Sequence, residues 1–143
     1  MVLDPVTPIR ASLRLNADTA ELERLIAWLD EFCERHGIPE GPHYHVNIAV
    51  EELVLNAMTH GRCSPAEGAI SIVLTLCGRE LEIALSDTGQ PFNPLDAPAP
   101  DLNCTLAERP IGGLGIYLVR TLMNSIEYQH VNGENRVHMR KNW

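Results

Sequence analysis

Apolar residues fall at alternate positions near the start of the chain. Pro8 precedes Ile9, Ala11, Leu13 and Leu15, and this period of two predicts a half-buried strand at a sheet edge. The period then lengthens. Asp18 and Glu21 make a capping box, and Leu22, Leu25, Ile26, Leu29, Phe32 and Cys33 share one face of a helix that Gly37 and Pro39 end. After a loop at PEGPHYH, the residues Val46, Val50, Leu53 and Ala57 form the stripe of a second helix, which begins near Tyr44 and stops at Gly61. Alternation returns at Ile70, Ile72, Leu74 and Leu76, turns at Gly78 and Arg79, and resumes through Leu81, Ile83 and Leu85, which predicts a hairpin. A third helix takes Leu118, Val119, Leu122, Met123 and Ile126 as its core face. The segments SIEYQHV and NRVHMR then flank Asn132 and Gly133, a strong hairpin signal. Strand, two helices, hairpin, long loop, helix and hairpin predict a two-layer α/β sandwich. Three helices cover one face of a mixed, mostly antiparallel sheet.

Three polar features interrupt this pattern. Glu52 and Asn56 are four apart in EELVLNAMTHG, so a carboxylate and an amide lie one turn from each other beside the apolar stripe. Burying them without partners costs about 1 to 3 kcal/mol, so something polar belongs opposite: a metal with its water, or a neighbouring base and nearby backbone. Asp87 continues the inward parity of Leu81, Ile83 and Leu85 to a strand end, followed by Thr88 and Gly89. There it either accepts a hydrogen bond from a group in a cavity, such as the exocyclic amine of adenine, or closes a turn on its own backbone. Finally, Gly112, Gly113 and Gly115 run directly into the third helix. The first N–H groups of a helix lack intrahelical partners, and glycines let an anion approach them closely.

In this order, the three features resemble the nucleotide-binding motifs of the GHKL superfamily, which includes gyrase, histidine kinases and mismatch-repair ATPases. NAMTHG, DTGQPFNP and GGLGIYLVRTLM are most similar to the versions in the small bacterial anti-sigma factor serine/threonine kinases, and the resemblance covers nearly the whole chain. It implies a Bergerat-type ATP-binding fold, with ATP and Mg2+ as cofactors. It implies Glu52 as general base or water-orienting group, Asn56 as a magnesium ligand, and His60 beside the phosphates. Asp87 would read adenine, with Gly89 letting the base pack closely, and Gly112, Gly113, Leu114 and Gly115 would wrap the phosphates. Residues 93–111, which hold Pro94, Pro98, Pro100 and Pro110, resemble the family's ATP lid, and Arg109 in it could reach a phosphate or a partner. The implied activity is phosphoryl transfer to a serine or threonine of an anti-anti-sigma (STAS-type) protein. A sigma factor is the other implied partner, and homodimerisation is expected, through the first strand. A nucleotide-gated binding module without catalysis is the alternative, and the detached catalytic domain of a histidine kinase is a third.

Two departures stand out. Pro91 takes the place of a second glycine in DTGQP, which predicts a stiffer loop. Similar proteins often carry a threonine after the glycine of the late hairpin. Here the run is GENRV at 133–137, and no adenine contact is assigned to it.

Composition narrows the classes. The 143 residues suit one domain, 1–143, and 45% hydrophobic with 21% charged content is ordinary for a globular chain. No apolar run approaches the roughly 20 residues that span a membrane, and no secretory signal is visible, so the expected compartment is the cytoplasm. A net charge of −8, from 19 acidic against 11 basic side chains, argues against direct nucleic-acid binding and leaves phosphate binding to local N–H groups and magnesium. Cys33, Cys63, Cys77 and Cys104 match no C-x-x-C pattern and are expected to be reduced. His43, His45 and His60 lack a zincin spacing, and no serine has a G-x-S-x-G setting.

Overall fold

The computed structural model describes residues 7–59, 69–96 and 113–143. Strand β1 (Ile9–Leu15) leads through a 3₁₀ turn at Thr19–Glu21 into helices α1 (Leu22–Arg35) and α2 (Glu40–Thr59). The hairpin of β2 (Ile70–Cys77) and β3 (Glu80–Asp87) follows, then α3 (Gly113–Leu122) and the hairpin of β4 (Ser125–Val131) and β5 (Glu134–Asn142). The sheet order is β1-β2-β3-β5-β4, so the last strand in sequence sits beside β3. The expected α/β class is present, and all the described pairings are antiparallel. Both hairpin turns fall where the sequence places them. Asn132 and Gly133 have φ of 54° and 77°, the two positive values that a type I′ turn needs and that Asn-Gly supplies cheaply.

One face of the sheet carries the core. Ile70, Ile72, Leu74 and Leu76 of β2, Leu81, Ile83 and Leu85 of β3, and Val137 and Met139 of β5 are buried there at every second position. Leu25, Leu29, Phe32 and Cys33 of α1, Val46, Val50, Leu53 and Val54 of α2, and Ile116 and Val119 of α3 close on them in one cluster. Each fully buried aliphatic side chain contributes about 1.5 to 3 kcal/mol of transfer free energy, which outweighs the modest helix preferences of these segments. The other face is polar. Arg140 reaches Glu80 at 3.6 Å and Glu82 at 3.5 Å across the strands.

Local details differ from expectation in three places. The Asp18 side chain accepts from Ala20 N at 2.9 Å, while Glu21 accepts from Asn16 N at 3.1 Å, so a 3₁₀ turn stands where a capping box was expected. Helix α2 begins at Glu40, before the expected start near Tyr44, because Pro42 lies in its first turn, where a missing N–H breaks no helical bond. Leu118 points outward, and Ile116 takes its place on the core face. The two long helices are tied by polar contacts as well. Asp30 Oδ1 meets His43 Nε2 at 2.7 Å and accepts from Asn47 Nδ2 at 2.8 Å, and these two bonds hold its carboxyl below the usual range. His43 is thus engaged between helices, and no three metal-ligating His, Cys, Asp or Glu side chains converge among the described residues. Among them, too, no helix is long and apolar enough to cross a membrane.

Candidate functional site

Helix α2 carries two of the candidate residues on its inner shoulder. Asn56 is buried at 8% exposure, and Glu52, one turn earlier, is half-buried. The neighbour of Glu52 is the first turn of α3. A Cβ built on Gly115 would overlap the Glu52 carboxylate, so glycine at 115 is what lets α3 approach this closely. The carboxylate thereby lies at the N-terminal end of a helix, where unpaired N–H groups and the macrodipole favour negative charge. Gly113 and Leu114 begin the same helix.

Strand β3 brings Asp87 to the same corner from the other layer. The sequence left two roles open for this carboxylate, and the turn-closing one is present: Oδ1 accepts from Gly89 N at 2.9 Å. The same oxygen accepts from Asn135 Nδ2 at 3.0 Å. Asp87 therefore does more than cap its own loop, since a cross-strand amide also holds it. Asn56, Asp87 and Asn135 line one cavity together with Leu53, Phe92 and Val137. Its volume is about 30 Å³, room enough for ordered water. Phe92 and Pro94, on the chain leaving β3, form one wall of it.

Asn135 is absent from the candidates drawn from the sequence. It is 4% exposed and lies opposite Asp87 in the β3–β5 register. Its Nδ2 donates to Gln90 O at 2.8 Å, and its Oδ1 accepts from Phe92 N at 3.2 Å and from the Tyr128 hydroxyl. One signal could have exposed it. With the Asn-Gly turn fixing the register, positions 135, 137 and 139 share the inward parity, and an amide among apolar residues there needs a partner. Burial, with Asp87 and Asp96 nearby, raises the Tyr128 phenol above its ordinary value and keeps it a donor at neutral pH. The stiff loop expected from Pro91 is thus held by Asn135 as well as by the proline.

Of the expected site residues, Glu52, Asn56, Asp87, Gly89, Gly113, Leu114 and Gly115 fall within the described residues and gather at one end of the sandwich. His60, Arg109 and Gly112 lie outside the described residues. So does the expected lid, except for its first four positions, where Pro94–Asp96 form a 3₁₀ turn and Asn93 Oδ1 accepts from Leu95 N at 2.9 Å.

The chain is similar to known proteins. The family model described as the histidine kinase-like ATPase domain matches residues 15–141. Serine/threonine-protein kinase BtrW of Bordetella bronchiseptica is 24% identical over 126 residues, which are 88% of this chain and 89% of that protein. Serine-protein kinase RsbW of Bacillus subtilis is 32% identical over 93 residues, 62% of this chain and 58% of that protein. The chain thus aligns with little more than half the length of RsbW. Among solved structures, part of the chain that comprises the RsbU and RsbW domains of Rv1364c from Mycobacterium tuberculosis has the same fold. The TM-score is 0.71 at 17% identity, and the match covers 94% of this chain and 32% of that one.

Proposed function

The chain belongs to the histidine kinase-like ATPase domain family, and from that premise we propose that it is an anti-sigma factor type serine/threonine kinase. It would bind ATP with magnesium and transfer a phosphoryl group to a serine or threonine of an anti-anti-sigma, STAS-type protein. The observation that carries this is the convergence of Asn56 and Asp87 on one cavity, with Glu52 one turn away against the start of α3. Relatives named serine or serine/threonine kinases support the reaction class.

The side chains present would suit such a nucleotide once the wall of Phe92 and Pro94 moves outward. A buried amide and a carboxylate line a common cavity, and Gly115 leaves the Glu52 carboxylate room against the start of α3. ATP would supply the phosphoryl group, and magnesium would offset its charge. Asp87 would accept from the adenine amine, and Asn56 would offer its amide oxygen to the metal. Glu52 would orient or accept the proton of the substrate hydroxyl. The N–H groups that open α3 would hold negative charge on the phosphates, which is the larger part of catalysis in phosphoryl transfer. Partner switching between the STAS-type protein and a sigma factor would then regulate transcription. A second copy would pair through the edge strand β1, whose Ile9 is 39% exposed.

Calorimetric titration with ATP, with and without magnesium, beside Asn56→Ala, tests the site. Magnesium-dependent binding lost in the variant is the expected result, and no binding to the folded native chain at millimolar nucleotide would overturn it. Transfer of labelled phosphate to a cognate STAS-type protein tests the activity. ATP binding without any such transfer would make the protein a nucleotide-gated binding module.

A further inference from the structure

We propose that Asn135 is the positioning residue that makes Asp87 selective for a 6-aminopurine, acting from β5 through the orientation of the carboxylate. The inference rests on the reading of the Asp87 cavity as an adenine site, and it goes further by assigning base selection to a residue outside the family-like motifs.

The chemistry of its partners dictates which way the amide faces. Phe92 N–H can only donate, so it must meet Oδ1, at 3.2 Å. The carbonyl of Gln90 can only accept, so it must meet Nδ2, at 2.8 Å. Asp87 Oδ1 is the second acceptor on Nδ2, at 3.0 Å, and the Tyr128 hydroxyl is the second donor to Oδ1. Two donors and two acceptor sites are all that a side-chain amide has, and each is used. At 4% exposure, water does not compete for them.

This full set locks Asp87. Its Oδ1 accepts from Asn135 on one side and from Gly89 N at 2.9 Å on the other. Rotation of the carboxylate would break both bonds at once. A carboxylate held in one plane presents lone pairs in fixed directions, and it accepts well from a 6-amino group. Against a 6-oxo group, oxygen would face oxygen. A carboxylate free to turn away would lose affinity for the first and tolerate the second, so the discrimination depends on what holds Asp87. The bonds from Asn135 to Gln90 O and Phe92 N add a second effect, because they fix the loop wall against which the base must lie.

Calorimetry with magnesium and either ATP or inosine triphosphate, which differ at the 6-position, reads this directly. The native chain should prefer ATP by about tenfold or more, the factor of roughly one well-made hydrogen bond. In Asn135→Ala, ATP affinity should fall by about tenfold while inosine triphosphate stays within about twofold, bringing the ratio near one. Circular dichroism confirms that the variant is folded. Tyr128→Phe removes one donor to Oδ1 and should lower the ratio by about threefold; it serves as the deciding variant if Asn135→Ala does not fold. A native ratio in folded Asn135→Ala overturns the proposal, as does a native ratio in Tyr128→Phe when the alanine variant is unfolded. Equal native affinity for both nucleotides overturns it too. A native chain that binds neither nucleotide overturns the adenine-site reading itself, a separate and earlier failure.

Discussion

The carboxylate of Glu52 occupies the space that a side chain on Gly115 would need. The two residues are on different helices, and the absence of one Cβ sets the distance between a candidate catalytic group and the helix start that would hold phosphate. Alanine is favoured over glycine within a helix by about 1 kcal/mol. What stands in the way here is the flexible end of a glutamate, which can swing aside. Gly115→Ala should therefore leave the melting temperature within a few degrees of native while displacing Glu52, and phosphoryl transfer should fall by about tenfold to a hundredfold. Gly41→Ala, in the first turn of α2 with no heavy atom within 4 Å of the new Cβ, should change neither. Equal transfer rates in native and Gly115→Ala would reject the relation.

Removing charge at position 52 without changing its size separates binding from chemistry. Glu52→Gln should retain ATP affinity within about threefold and lose about a hundredfold or more in the rate of partner phosphorylation. Binding and turnover measured on one preparation decide it. A parallel loss of affinity would place Glu52 in ground-state binding instead.

Acid should loosen the fold through His45. Burial first, and the charge of Lys141 second, hold its imidazole below the ordinary 6.5, and its Nδ1 is buried with no hydrogen-bond partner among the described residues. Because the folded pKa is depressed, the unfolded chain takes up the proton first as pH falls. The stability tied to the neutral ring is intact above about 6.5 and drains away below it, toward the folded pKa. Melting temperatures between about pH 7.5 and 5.5 should fall more steeply in the native chain than in His45→Gln. Parallel slopes would remove His45 from the account. Asp30, whose pKa is also lowered, acts in a separate window, since its contribution is lost only as pH falls below the ordinary carboxylate range.

Thiol reagents should distinguish two cysteines. Burial, with the charges of Asp30 and Glu34 adding to it, pushes the Cys33 thiol up to about 11, while Cys77 is exposed at the end of β2. Maleimide at neutral pH should label Cys77 in the native chain and reach Cys33 only after denaturant is added, as read by peptide mass spectrometry. Rapid native labelling of Cys33 would contradict the burial.

Much of the fold was legible because local rules and burial agree along most of the chain. The β2–β3 alternation and the Asn132-Gly133 turn each specify one geometry, and both appear in place. Leu118 was misread because 118, 119 and 122 form nearly as good a helical stripe as 116, 119 and 123, and only the position of the sheet selects between them. Pro42 looked like a loop residue, since proline signals both turns and first helical turns. Glu52, Asn56, Asp87 and the glycines of α3 stood out as candidates because each lies in a short motif whose spacing is local. Asn135 did not, because its meaning comes from a partner 48 residues away, and a single amide in a strand carries no mark of the residue it faces.

The position of β5 between β3 and β4 has a consequence for biosynthesis. Asp87 leaves the ribosome well before Asn135, and until that last strand inserts, β3 lacks its neighbour and the apolar cover of Val137 and Met139. The Asp87 corner is then missing one wall and the Asn135 amide that bonds its carboxylate. A ligand stabilises only the conformations able to bind it, so a nucleotide bound here as proposed would not act as a template for the emerging chain. It would act only once β5 has paired with β3, and a chain halted before that would present an open sheet edge to chaperones.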